Sequence, residues 1–125
     1  MNDRAEIEAV VQLYFDGMYE SSSEKIMKIF HSDARVAGYL HGELVLMTAE
    51  DFASFVSSQQ PSPKENEDEI FLEIISCEIV GKIGSVKVRD KYLGSTFLDT
   101  LSFIKIDDEW QIYNKLFHVE SDQER

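Results

Sequence analysis

Asp99 lies in the middle of the run STFLDTLSFIKI, a carboxylate between Phe97 and Leu101 in a stretch of strand-forming residues. Alternation along a strand puts Phe97, Asp99, Leu101 and Phe103 on one side, and Thr96, Leu98, Thr100, Ser102 and Ile104 on the other. If the aromatic side is the buried one, Asp99 enters the core, where a carboxyl must be protonated or hydrogen-bonded. Tyr14, on the apolar stripe of the first helix, is the partner to expect; Asn114 with a backbone amide is the other. Two readings stay open. The pair satisfy each other as a structural anchor, or both line a pocket.

The closing run EWQIYNKLFHV raises a similar question. Trp110, Ile112, Asn114, Leu116 and His118 alternate with Gln111, Tyr113, Lys115, Phe117 and Val119. Asn114 on the Trp110 side is a polar amide among apolar neighbours, as in ligand pockets with few polar groups on apolar walls. His118, near the strand end, belongs at a pocket mouth or across a dimer contact. Tyr14, Phe15, Phe30, Phe52, Phe55 and Trp110 read mainly as core, with a few of them lining a cavity. Met18, Phe55 and Leu116 decide whether that cavity is open or filled.

Other reactive residue types carry less. His31, Asp33, His41 and His118 lack metal-ligand spacing, so no metal is expected. His31 follows a helix and reads as a C-terminal cap; His41 precedes Gly42 and reads as an exposed turn residue. Cys77, the single cysteine, excludes an intrachain disulfide and reads as a small buried residue. No His or Lys stands beside it to make a reactive thiolate.

The elements that position these residues form one domain, residues 1–125. Ile7, Val10, Val11, Tyr14, Phe15 and Met18 predict a first helix. Ser21 and Glu24 have capping-box spacing for a second, whose buried side is Ile26, Met27, Ile29 and Phe30. ARVAGYLHGELVLM predicts a hairpin broken at His41-Gly42, and Thr48 with Asp51 opens a third helix carrying Phe52, Phe55 and Val56. SSQQPSPKENEDE reads as a solvated loop. From Ile70 onward four strand-like runs are separated at Gly81-Lys82, Gly94 and Asp107-Asp108. The class is α+β, three N-terminal helices packed on a curved, mostly antiparallel sheet built from a hairpin and a four-strand meander.

Net charge is −12, with a pI near 4.5 and scattered basic residues. Nucleic acid and anionic membrane are therefore not expected partners. The acidic N-terminus lacks the pattern of a secretory signal, and no apolar run is long enough for a membrane span, so a cytoplasmic protein is expected. Both faces of the later strands carry apolar residues, which predicts a homodimer through the sheet face.

The order of elements, with YFDGMY, IFHSDARV and DTLSFIKIDDEWQIYNKLFH, resembles the cone-shaped nuclear transport factor 2-like superfamily, which includes SnoaL-like proteins. The last stretch looks like its putative lumazine-binding branch. That resemblance implies a flat, mainly apolar, pteridine-like small-molecule ligand between helices and sheet, with no cofactor. AEIEAVVQLY and FLDTLSF are also similar to segments of ketosteroid isomerases. By that likeness Tyr14 and Asp99 would be the catalytic oxyanion donors, a tyrosine and a neutral carboxylic acid. The place of the general base in DARVAG is taken by Gly38, so the isomerase reaction itself is not expected. Three readings follow: a small-molecule-binding protein, an isomerase- or dehydratase-like enzyme using Tyr14 and Asp99, or a structural dimer with a closed interior.

Overall fold

The computed structural model describes residues 2–122. Three helices, α1 (Asp3–Tyr19), α2 (Ser23–Ile29) and α3 (Ala49–Ser57), pack on one face of a six-stranded sheet. The strands are β1 (Phe30–Leu40), β2 (Glu43–Thr48), β3 (Leu72–Val80), β4 (Ile83–Tyr92), β5 (Ser95–Ile106) and β6 (Glu109–Asp122). Their order is β2-β1-β6-β5-β4-β3, with the β1–β6 pair parallel and every other pair antiparallel.

Local chemistry explains the helices. The Asn2 side chain accepts from the amides of Arg4 and Ala5, and so opens α1. Thr48 and Asp51 form the expected reciprocal capping box on α3. On α2 the cap is Ser22, one residue later than the spacing suggested. Ser21 instead adopts a positive φ and donates its hydroxyl to the Gln59 carbonyl at 2.6 Å. Met27 is exposed rather than buried, and Phe30 is already the first residue of β1.

The hairpin breaks fall at His41-Gly42 and Asp107-Asp108, where both turn residues have positive φ, and at Leu93-Gly94. His41 is exposed there. The segment after α3 is less free than its composition implied. Ser62 and Pro63 are buried, the Lys64 amide donates to the Tyr19 carbonyl, and the Tyr19 hydroxyl donates to the Asp68 carbonyl. It straps down the C-terminal end of α1.

Register shifts between Phe30 and Arg35 in β1, near Ile75 in β3 and near Tyr113 and Glu120 in β6 bend the sheet around the helices. The concave face holds the core: Ile7, Val11, Tyr14 and Met18 of α1 against Val86, Val88, Leu101, Phe103 and Ile112.

Candidate functional site

Alternation on β5 holds, and Asp99 does point into the core. It is 1% exposed, and the Tyr14 hydroxyl, on a residue 0% exposed, donates to Asp99 Oδ2 at 2.8 Å. Asp99 is not alone. On β4, Val86, Val88, Asp90 and Tyr92 share the concave face, and Asp90 is as buried as Asp99. Asp99 pairs with Val88, so Asp90 is its diagonal neighbour across β4–β5.

On the other side Asp99 pairs with Phe117 and Leu101 with Lys115, which makes Lys115 diagonal to Asp99 across β5–β6. Asp90, Asp99 and Lys115 thus form a row over three neighbouring strands beneath α1. The Lys115 ammonium lies 4.9 Å from the Tyr14 ring centroid, 4.2 Å from that of Phe52 and 5.9 Å from that of Phe117.

Two carboxyls this close cannot both stay ionised without cost. Burial, then the neighbouring Asp99 charge and a hydrogen bond to Asp99, push the Asp90 carboxyl well above the usual carboxylate range; the Lys115 charge opposes this. One oxygen of each carboxyl, Asp90 Oδ2 and Asp99 Oδ1, has no conventional donor. A single proton carried by Asp90 and donated to Asp99 accounts for that arrangement. Tyr14 is then a second donor to Asp99, and its own hydroxyl is held protonated by burial and by Asp99.

Tyr92 closes the site from the third side. Its hydroxyl is buried without a hydrogen-bond partner and is kept protonated by burial and by Asp90. Its ring also lines a cavity of about 270 Å³ between the end of α1 and the sheet, with Phe15, Tyr19, Pro63, Lys91 and Leu93. Lys91 crosses that cavity to Glu69 at 3.0 Å. A shallower depression of about 520 Å³ lies around Ile83, Phe103 and Tyr113.

Comparison with known proteins places the chain in a family. Residues 2–118 match the family described as putative lumazine-binding. The chain belongs to that family. It is also similar to Aldolase FrzH of Cladobotryum sp., 27% identical over 110 residues, which are 88% of this chain and 86% of that protein. An NTF2-like protein of unknown function from Silicibacter pomeroyi DSS-3 superposes with a TM-score of 0.87 at 23% identity, over 96% of this chain and all of that one. Another, from Methylobacillus flagellatus KT, gives 0.82 at 26% identity over 95% and 93%. The cone fold is therefore that of the nuclear transport factor 2-like superfamily.

Within this member of the family, the residues singled out by sequence separate into groups. Phe30 lies beside the cluster, its ring centroid 6.2 Å from that of Tyr14 and 5.7 Å from that of Phe52. Met18 is buried on the same face of α1, and Phe55 is half-buried at the edge of the core. Trp110 is buried elsewhere: its indole donates to Asp3, which also pairs with Lys105 and is thereby pulled below its usual pKa. Asp3 precedes Tyr14 by eleven residues on α1, about 16 Å along a helix. Trp110 anchors the start of that helix.

Asn114, Leu116 and His118 are not brought to Tyr14. The bulge near Tyr113 reverses the alternation of β6, so Ile112, Lys115 and Phe117 face the helices. Leu116 is 51% exposed on the convex face, where it pairs with Thr100 and Ala37; Asn114 and His118 share that face. One extra residue exchanged an expected amide for a lysine.

His31 accepts the Asp33 amide on its Nδ1 at 3.0 Å, and its ring packs on Tyr113. Cys77 is half-buried on β3, and burial pushes its thiol up, away from thiolate chemistry. Among the described residues no three His, Cys, Asp or Glu side chains gather as a metal site, and no helix is long and apolar enough to cross a membrane.

Gly38 proves to be required by packing. In β1 it pairs with Phe117 of β6, and a Cβ there would collide with the Phe117 carbonyl and lie 2.6 Å from its ring. No side chain, and so no general base, fits at that position without moving a strand.

Proposed function

We propose that this protein binds a compact carbonyl compound against the Tyr14–Asp99–Asp90 cluster and moves a proton at the carbon beside the carbonyl. The observation that carries this reading is the pair of carboxyls, each 1% exposed and side by side under the Tyr14 hydroxyl, with the buried Tyr92 hydroxyl next to them lacking a hydrogen-bond partner. A purely structural anchor would be satisfied, since an unpaired buried polar group costs about 1–3 kcal/mol. Perturbed carboxyl pairs are also how enzymes keep an acid and a base side by side at neutral pH.

When a carbonyl oxygen enters, Tyr14 and the protonated Asp90 each turn their one proton from Asp99 to that oxygen, on which negative charge develops. Asp99, released from both donors, is then the group placed to take the proton. This assigns Asp99 as base and Asp90 as acid, and it needs nothing at Gly38. The ligand enters by the cavity over Tyr92, whose hydroxyl has no hydrogen bond to break when it moves. The name of the relative Aldolase FrzH agrees with this chemistry, because an aldol reaction begins with the same proton transfer.

Deuterium wash-in tests the reading. Small ketones and aldehydes incubated with the protein in D₂O are expected to exchange their α-hydrogens, with the rate lost in Asp99→Asn. Binding without exchange across the panel would instead favour a non-catalytic ligand-binding protein, the reading to which the family description leans.

We also propose a cytoplasmic homodimer through the convex face. Leu46, Ala37 and Leu116 form a row across β2, β1 and β6, with Tyr39 and Leu44 beside it. Leu46 is 71% exposed and Tyr39 63%, and no element among the described residues covers them.

A further inference from the structure

We infer that Lys115 is a nucleophile that forms a covalent imine with the carbonyl carbon of the bound ligand. The inference rests on the proposed carbonyl chemistry and adds a bond to it. A lysine only 6% exposed is uncommon, because burying its charge is expensive unless the charge is paired. Among the described residues the ammonium forms no ion pair: it lies over the faces of Tyr14, Phe52 and Phe117, with Asp90 within reach of its charge. A lysine serving only as counter-ion would be expected to donate to the carboxylates. This one lies over the tyrosine that does.

The surroundings suit each step. The ammonium gives one proton to Asp99, its neighbour on β5, and the free amine then attacks the carbonyl carbon. The N–C bond forms as the C–O π pair moves to oxygen. That oxygen collects two protons through the Asp90–Asp99 pair, one the ammonium's and one from the attacking nitrogen, and leaves as water. The nitrogen keeps its third hydrogen, and the iminium carries the same single positive charge as the ammonium. An aromatic cage that holds one therefore holds the other. With the oxygen gone, Asp99 is free to take the α-proton and the iminium becomes a neutral enamine. No metal, oxidant or second cofactor enters the balance.

The test is reductive trapping on the intact protein. Acetaldehyde is added with sodium cyanoborohydride, whose hydride reduces an iminium to a stable secondary amine, and peptides are mapped by mass spectrometry. Deuterium wash-in on the same probe is followed in parallel. The expected result is an ethyl adduct on Lys115 ahead of the exposed lysines, with loss of wash-in in Lys115→Arg, which keeps the charge and the cage. Adducts confined to exposed lysines, with wash-in retained in Lys115→Arg, would overturn the imine and leave the proton-transfer reading standing. Absence of both trapping at Lys115 and wash-in would remove both. Because trapping is read on the wild-type chain, it does not depend on a variant folding.

Discussion

Tyr14 and Asp99 lie 85 residues apart in the chain and 2.8 Å apart in the core, hydroxyl to Oδ2, with neither reached by solvent. The bond ties the middle of α1 to the middle of β5. It also leaves the second oxygen of Asp99 to share the proton of Asp90.

Removing the hydroxyl tests the tie. Tyr14→Phe deletes one donor and leaves a buried acceptor short of a partner, which corresponds to about 1–3 kcal/mol. Urea unfolding is expected to show that loss at unchanged m-value. Wash-in on carbonyl probes is expected to slow as well, because one of two oxyanion donors is gone.

The shared proton has a pH signature. An unfolded aspartate titrates near about pH 3.9, whereas folded Asp90 keeps its proton to higher pH. Between those values the folded state holds the extra proton, so this group's contribution to stability is fully present at low pH and is lost as pH rises. Asp90→Asn keeps a donor toward Asp99 and removes the titration. The stability of the variant relative to wild type is therefore expected to increase from about pH 4 upward. A constant difference across that range would contradict the assignment.

Gly38 is a packing requirement, so Gly38→Ala is expected to destabilise the fold by about 1–3 kcal/mol, as overpacking does. Gly38→Asp would add a buried charge to the same collision. It is expected to fold poorly and to gain no wash-in activity, so a soluble, active Gly38→Asp would contradict the packing account.

The convex row gives a prediction independent of the site. Leu46→Lys combined with Leu116→Lys places two cations where the second copy would sit. Light scattering is expected to show a dimer for wild type and a monomer for the double variant, with unfolding little changed. A wild-type monomer would remove the proposed interface.

Much of the fold was legible because its signals are local. The apolar stripe of α1, the Thr48–Asp51 box and the turns at His41-Gly42 and Asp107-Asp108 are each decided by a few neighbouring residues. Asp99 was legible for the same reason, since β5 alternates without interruption from Phe97 to Phe103. Asp90 carried the same signal, a carboxylate in phase with Val86, Val88 and Tyr92, but the charged residues on either side obscure it. Lys115 carried none. Its inward direction depends on a bulge two residues earlier, which is set by the pairing of β6 with β5 and not by any residue type nearby. The same bulge turned Asn114, Leu116 and His118 outward, so one non-local event accounts for the changed composition of the site.

The measurement that tests the central claim most directly is carbon-13 NMR of the aspartate side-chain carboxyls across pH, with Asp90 assigned by its loss in Asp90→Asn. The shared-proton account predicts one carboxyl, that of Asp90, still protonated well above the range in which the exposed aspartates titrate. If every aspartate, Asp90 included, ionises in the ordinary range, the buried pair holds no common proton and the proposed acid–base centre does not exist.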